Sequence, residues 1–254
     1  MDPLAVAAVA VWCFLVALVG GLVGLVLGNI RLPVILLAAS SPAGGAGANI
    51  GISGVAASAA SIAHIRAGRV NWHLFAVMAP PSVVGAITGG IVSGALPGDV
   101  LLGIVAVTLL YFGVDVLRNP PRPARPGTAT AEPAGLDLRA AAVAGALIGF
   151  IGGVVGLILG SLRMPALLRY VGERPALAVG TNVTVGVAVG AAGVIGHAPS
   201  GVDWELLGVG AAASIPGALL GARLTGRLSE ADLLRAVGVV LLVAGCVTGA
   251  QAVV

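Results

Sequence analysis

A stretch of this chain repeats itself 132 residues further on. The pattern Gly-Gly-x-x-Gly-Leu-x-Leu-Gly-x-x-Arg-x-Pro occurs at residues 20–33 and again at residues 152–165. Further pairs follow in the same order: Asn49 and Asn182, His64 and His197, and Trp72 and Trp204. Chance matches in an Ala-, Gly- and Val-rich chain do not place Arg, Pro, Asn, His and Trp in one order twice. The sequence therefore predicts two homologous copies, at 4–117 and 139–254.

The composition places both copies in a lipid bilayer. The chain is 58% apolar and 9% charged, with a mean hydropathy of +1.10, whereas soluble domains carry about 25% charged residues. Its 13 basic residues are all Arg, and the net charge of +3 is too dilute for a nucleic-acid-binding face. The 40 glycines suit closely packed membrane helices. We expect an all-α polytopic membrane protein.

Each copy is predicted to contain four transmembrane helices, because a spanning helix needs about 20 apolar residues. The predicted spans are 4–28, 46–65, 73–95 and 98–117 in the first copy, and 139–160, 177–196, 205–226 and 230–251 in the second. A shorter apolar piece follows the first span of each copy, at Pro33–Ser40 and Pro165–Val171. Such a piece is too short to cross as a helix and predicts a half-helix or re-entrant segment. Four spans per copy imply the same orientation for both copies; if the short piece crossed, there would be five spans and inverted copies.

The only polar, Pro-rich stretch lies between the copies. Residues 118–138 contain five prolines and little apolar sequence, which predicts an exposed linker. The densest run of arginines also lies here, which favours a cytoplasmic position for the linker.

The first candidate site is the repeated segment that contains Arg31 and Arg163. A Gly before each arginine and a Pro after it predict a helix, a break at Gly28–Pro33 or its counterpart, and a new half-helix. The start of a half-helix attracts anions, and the arginines add full positive charge. Asn29 and Ser161 belong to the same segments and are candidate ligands. Alternatively, both arginines extend to the lipid headgroups.

A second group of candidate ligands begins the second span of each copy. Asn49, Thr181 and Asn182 follow glycines there, so their polar side chains would lie near free backbone N–H groups. The alternative is ordinary N-capping of these helices.

Proton coupling has three candidate residues. His64 and His197 end the second span of each copy, and histidine exchanges protons near neutral pH. Their polar flanks equally fit solvated residues at the membrane boundary. Asp115, in the fourth span, is either a functional buried acid or the partner of Arg118. Trp72 and Trp204 are predicted interface anchors.

The sequence contains no recognisable enzyme motif and no predicted metal or cofactor site. An anion transporter, a gated anion channel and a membrane scaffold all fit the features so far. Small-xxx-small helix faces would serve either internal packing or a homodimer.

The ordered motifs resemble the TauE/SafE sulfite exporter (TSUP) family. They are Gly-x-x-Arg-x-Pro after the first helix, Gly-Thr-Asn at 180–182, a His followed by Asn-Trp or Asp-Trp in the next loop, and Gly-Ala-x-x-Gly in the third helix. The resemblance implies a bacterial-type inner-membrane transporter for sulfite or organosulfonates, coupled to protons. The first copy departs from the pattern, because Ala48 occupies the position of Thr181.

Overall fold

The computed structural model describes residues 3–91, 98–120, 136–155, 157–197 and 202–253. These residues form ten α-helices and one π-helical turn, without a strand among them. The first half contains α1 (Pro3–Val23), α2 (Gly28–Ala38), α3 (Pro42–Arg66), α4 (Trp72–Ile91) and α5 (Gly98–Arg118). The second half contains α6 (Leu138–Val155), α7 (Gly160–Ala166), the π-helical turn (Leu167–Val171), α8 (Pro175–His197), α9 (Trp204–Thr225) and α10 (Glu230–Gln251).

Five of the described helices are long and apolar enough to cross a membrane: α1, α3, α8, α9 and α10. With α4 and α5, of 20 and 21 residues, they form an all-helical bundle. The architecture is that of a polytopic membrane protein. The last residues of the predicted span 73–95 and most of the predicted linker lie outside the described residues.

The first helix is interrupted, but earlier than the sequence predicted. α1 ends at Val23, and Gly24 adopts a φ of +69°, which favours glycine. A Cβ on Gly24 would also lie 2.6 Å from the Cα of Val179. The predicted break at Gly28–Pro33 is therefore wrong, since α2 already begins at Gly28 and includes Pro33.

A neighbouring side chain explains how Pro33 is accommodated inside α2. Proline has no N–H for the carbonyl oxygen four residues earlier. That oxygen, on Asn29, instead accepts a hydrogen bond of 2.8 Å from Gln251 Nε2 of α10. In the second half, residues 157–159 separate α6 from α7, and Pro165 likewise lies inside the helix.

Helices at equivalent positions of the predicted copies run antiparallel. Ser61 of α3 is hydrogen-bonded to Thr184 of α8 across 2.9 Å. Further along α8, Gly190 lies against Gly54, seven residues earlier in α3. α5 and α10 are also antiparallel, since Gly113 contacts Leu242 whereas Leu110 contacts Gly245. The prediction that both copies have the same orientation is therefore wrong.

The two halves also interlock. α1 packs along α9 and α4 along α6, so the first helix of each predicted copy lies against the third helix of the other. Glycines permit these close contacts: a Cβ on Gly221 would lie 1.9 Å from the Leu18 carbonyl oxygen, and one on Gly89 would lie 2.1 Å from that of Phe150. The two copies do not form separate bundles that meet at one face.

The break and α2 together run back along the whole of α9. At one end, Thr225 Oγ1 donates to the carbonyl oxygen of Leu22 across 2.8 Å. At the other end, the backbone N–H of Ser40 donates to Asp203 Oδ2 across 3.1 Å. Asp203 also caps the N-terminus of α9, and the 22 residues of α9 span about 33 Å. The short apolar piece therefore does not turn back halfway, because the non-helical residues of the break add to its length.

Candidate functional site

The two arginines of the repeated segments are buried inside the bundle. Arg31 on α2 is 2% exposed and Arg163 on α7 is 0% exposed. The alternative that both extend to the lipid headgroups is therefore wrong. Neither arginine forms an ion pair with a carboxylate in the described part of the chain. A buried cation without a counter-ion is costly, and this marks the pair as the candidate site.

Arg31 makes several hydrogen bonds to the protein. Its Nε donates to Asn49 Oδ1 across 2.9 Å, and its Nη2 donates to the Asn49 carbonyl oxygen across 3.0 Å. Nη2 also donates to the hydroxyl of Ser53, one turn further along α3. Side-chain and backbone oxygens of α3 therefore hold the guanidinium in place.

Arg163 has fewer partners. Its Nη1 lies 3.3 Å from Asn182 Oδ1 and 3.4 Å from the Asn182 carbonyl oxygen, whereas its buried Nε and Nη2 have no hydrogen-bond partner. The spacing that aligns Asn49 with Asn182 aligns Ser53 with Gly186, so the second half lacks the hydroxyl. A Cβ on Gly186 would lie 2.9 Å from Val26 Cγ2, so the valine occupies the corresponding space.

Asn49 and Asn182 hold the residues that begin the half-helices. Asn49 Nδ2 donates to the Gly28 carbonyl oxygen across 3.1 Å. Asn182 Nδ2 donates to the carbonyl oxygens of Gly160 and Gly24, at 2.9 and 2.7 Å. The N-capping alternative is wrong for both, because each lies well inside its helix.

A small cavity adjoins the Arg31 side of the site. It is lined by Arg31 and Ser53 and by small apolar residues of α1, α3 and the first break, together with Val183. The centres of water molecules can occupy about 20 Å³ of this cavity, which is enough for one or two waters.

The remaining predicted ligands are buried but lie in other contacts. Asn29 Nδ2 donates to Thr248 Oγ1 of α10 across 2.8 Å. Thr181 Oγ1 accepts from the backbone N–H of Asn71, just before α4, across 2.9 Å. Ser161, on α7, is 1% exposed. The structure thus groups Arg31 with Asn49 and Arg163 with Asn182, and directs Asn29 and Thr181 to neighbouring helices.

The predicted proton-coupling residues differ in their surroundings. His64 is fully buried and its Nε2 lies 3.2 Å from the Gly21 carbonyl oxygen, so the alternative of a solvated boundary histidine is wrong. Asp115 forms an ion pair with Arg169, at 2.7 Å, and not with Arg118. His197 ends α8, and its side chain lies outside the described residues.

Three partners of the predicted residues were missed by the sequence reasoning: Ser53, which contacts Arg31, and Thr248 and Gln251, which contact Asn29. Ser53 follows Asn49 by four residues, so the helical period places the two on one face of α3 and could have identified it. No comparable signal marks Thr248 or Gln251, because their partners lie more than 200 positions away in the sequence.

The fold and the buried cationic site define an integral, multi-pass membrane protein. The chain belongs to the sulfite exporter TauE/SafE family, whose model matches residues 9–248. No curated protein and no solved structure matches the chain.

Proposed function

We propose that the protein is a proton-coupled secondary transporter that exports sulfite or organosulfonates across a bacterial-type inner membrane. Family membership supports a transporter of sulfur-containing anions. The two buried arginines support an anionic substrate held inside the bundle. In this proposal, residues 4–117 and 139–254 are two inverted copies joined by a linker, and each crosses the bilayer five times.

The observation that carries the proposal is the incomplete hydrogen bonding of Arg163. Two of its nitrogens are buried without an acceptor, and each such donor costs free energy until an acceptor arrives. A sulfite or sulfonate group has three oxygens and negative charge, which suit the planar guanidinium. Bound substrate would therefore supply both the missing acceptors and the missing counter-charge.

The neighbouring polar residues would complete the substrate site. Arg31, Asn49 and Asn182 lie at the two breaks, and Ser161 precedes Arg163 by two residues on α7. Asn29 and Thr181 would join the site when the helices that they now contact move apart. We infer that rocking of one copy against the other opens the site to the two sides in turn, as in other inverted-repeat transporters.

His64 is the proposed proton acceptor. Because a carbonyl oxygen can only accept, the ring donates Nε2–H to Gly21 and carries its lone pair on Nδ1. Nδ1 is buried and has no partner. Gly21 lies near the end of α1 and lines the cavity, so a proton on His64 would act on the segment that leads to the first break. His197 and Asp115 are weaker candidates for the same role.

Sulfite flux in proteoliposomes tests the proposal. Arg163→Gln is expected to lower the flux at least tenfold, whereas Arg31→Gln should mainly lower stability, since Asn49 and Ser53 lose their shared partner. Arg235→Gln, at an exposed position of α10, is the matched control. An unchanged flux in Arg163→Gln at equal protein density would contradict the site.

Uphill flux driven by a pH gradient supports a transporter, whereas purely downhill, rapid flux supports a gated anion channel.

A further inference from the structure

A second cationic cluster lies where α3 ends. We propose that His64 and Arg69 form an outer anion site on the route to the arginine pair; this inference rests on the proposed function. The backbone N–H of Arg69 donates to the His64 carbonyl oxygen across 2.9 Å, so a tight turn brings the two residues together. Both contact the N-terminal part of α8: a Cβ on Gly180 would lie 1.7 Å from the Arg69 carbonyl oxygen and 3.2 Å from His64 Cβ.

The polar atoms of this cluster are only partly used. Arg69 Nη2 donates to the Ala222 carbonyl oxygen in the last turn of α9, across 2.8 Å. Through this contact Nη2 caps the C-terminus of α9, which accounts for one nitrogen of the guanidinium. Arg69 Nε and Nη1 and His64 Nδ1 are buried without partners. Three buried polar atoms without partners in one turn indicate a bound ligand, because the capping of α9 does not account for them.

The charge of the cluster is also uncompensated. Neither residue pairs with a carboxylate in the described ranges. Burial lowers the pKa of the Arg69 guanidinium, yet arginine keeps its charge in proteins. An anion is therefore the natural occupant.

The cluster begins about one helical turn of α3 beyond the cavity that adjoins Arg31. Ser53, Ala57, Ala60 and His64 follow one another at intervals of three or four residues, so they share one face of α3. The first three line the cavity, and His64 is hydrogen-bonded to Gly21 of its opposite wall. The eleven residue steps from Ser53 to His64 correspond to about 16 Å along the helix. An anion at the outer site would thus lie about three turns from Arg31.

The chemistry of the three atoms specifies the ligand further. Arg69 offers two N–H donors, and His64 Nδ1 offers an acceptor while Nε2 donates to Gly21. A small oxyanion that carries one proton, such as hydrogen sulfite, accepts from the arginine and donates to the histidine. A sulfonate has no such proton and leaves Nδ1 without a donor.

The sequence of the second copy lacks the arginine of the outer site. The repeat spacing that aligns Trp72 with Trp204 places Gly201 at the position of Arg69. A neutral glycine at that position supplies no cation for an anion.

Equilibrium dialysis of the purified full-length protein against labelled sulfite tests the outer site. We expect the wild-type chain to bind two sulfite ions, Arg69→Gln and Arg163→Gln to bind one each, and the double variant to bind none. Arg223→Gln, an exposed arginine in the last turn of α9, is the matched control and should bind two. Methanesulfonate should compete more weakly at the outer site than at the central one.

A second variant tests whether a loss of sulfite binding in Arg69→Gln comes from the site or from a folding defect. His64→Gln retains an N–H donor for the Gly21 carbonyl and should also lose one bound sulfite, with an unchanged gel-filtration profile. The outer site is contradicted if Arg69→Gln and His64→Gln bind as many sulfite ions as the wild type. If Arg69→Gln loses an ion but Arg163→Gln does not, the outer site stands and the central site of the proposed function fails.

Discussion

Asn182 of α8 donates to the carbonyl oxygen of Gly24, 158 positions earlier in the sequence, across 2.7 Å. The same amide nitrogen donates to Gly160, at the start of α7, across 2.9 Å. One side chain therefore ties both interruptions together, and through its oxygen it also contacts Arg163. Among the described residues, the side chain of its counterpart Asn49 is hydrogen-bonded to Gly28, at the start of α2, and to Arg31.

This difference predicts unequal effects of truncating the two asparagines. Asn182→Ala leaves two buried carbonyl oxygens without their donor, and each costs about 1–3 kcal/mol. We expect its free energy of unfolding, measured by titration with SDS, to fall by about 3 kcal/mol. Asn49→Ala removes the donor of one such oxygen and should cost less. Equal losses in the two variants would contradict the linking role of Asn182.

The pairing of Arg163 predicts the effect of an added hydroxyl. Gly186→Ser combined with Val26→Ala places a hydroxyl where Ser53 stands in the first half, so that Arg163 gains a protein acceptor. We expect sulfite affinity, measured by dialysis, to fall about tenfold, which corresponds to a loss of about 1.4 kcal/mol of binding free energy. Gly186→Ala with Val26→Ala is the control for the change in packing. If both double variants bind sulfite equally, the added hydroxyl does not compete with substrate.

Two glycines of α9 provide a matched test of helix packing. A Cβ on Gly221 would lie 1.9 Å from the Leu18 carbonyl oxygen, whereas a Cβ on Gly208 would meet nothing within 4 Å. Gly221→Ala should therefore destabilise the protein by about 1–3 kcal/mol through overpacking against α1. Gly208→Ala should be neutral or slightly stabilising, since alanine favours helix interiors. Thermal unfolding in detergent measures both, and comparable melting temperatures would argue against the α1–α9 contact.

Asp203 predicts a pH dependence of stability. The backbone N–H groups of Leu206 and Ser40 hold the pKa of this carboxyl below its ordinary value of about 4. A carboxyl with a lowered folded pKa stabilises the protein fully above its unfolded pKa, and this contribution is lost as the pH falls through the folded value. Asp203→Asn should therefore be less stable than wild type at pH 7, and the difference should shrink below about pH 4. A difference that is constant between pH 3 and pH 7 would contradict this role.

The sequence predicted those features of the fold and of the candidate site that depend on composition and on residue spacing. Helix identity, the interruption of the first helix and the residues of the repeated arginine segments all follow from local pattern. The position of the break does not follow from local pattern, because both Gly24 and Gly28 could end the helix. Only the tertiary contact of Gly24 with Val179 distinguishes the two glycines. The relative orientation of the copies depends on whether residues 24–39 traverse the bundle. The non-helical residues of the break lengthen that path, and a count of helical residues leaves them out.

The pairing of each arginine was equally inaccessible from the sequence. Arg31 and Arg163 occupy matching motifs and yet differ in hydrogen bonding, since the distinguishing residue is Ser53 in one half and Gly186 in the other. Neither residue belongs to the repeated motif. A serine and a glycine one turn beyond the asparagines become informative only when the arginines are seen to lie against them.

The antiparallel arrangement of α3 and α8 determines where the two aromatic landmarks lie. Trp72 begins α4 beside the end of α3, and Trp204 begins α9 beside the start of α3, so about 36 Å of helix separates them. Both tryptophans are more than half exposed on the surface of the protein. Because they lie at opposite ends of a helix long enough to cross the bilayer, a water-soluble fluorescence quencher added outside sealed vesicles is expected to reach one of them and to spare the other. Chains that retain a single tryptophan would report which way the protein is inserted, without any added label.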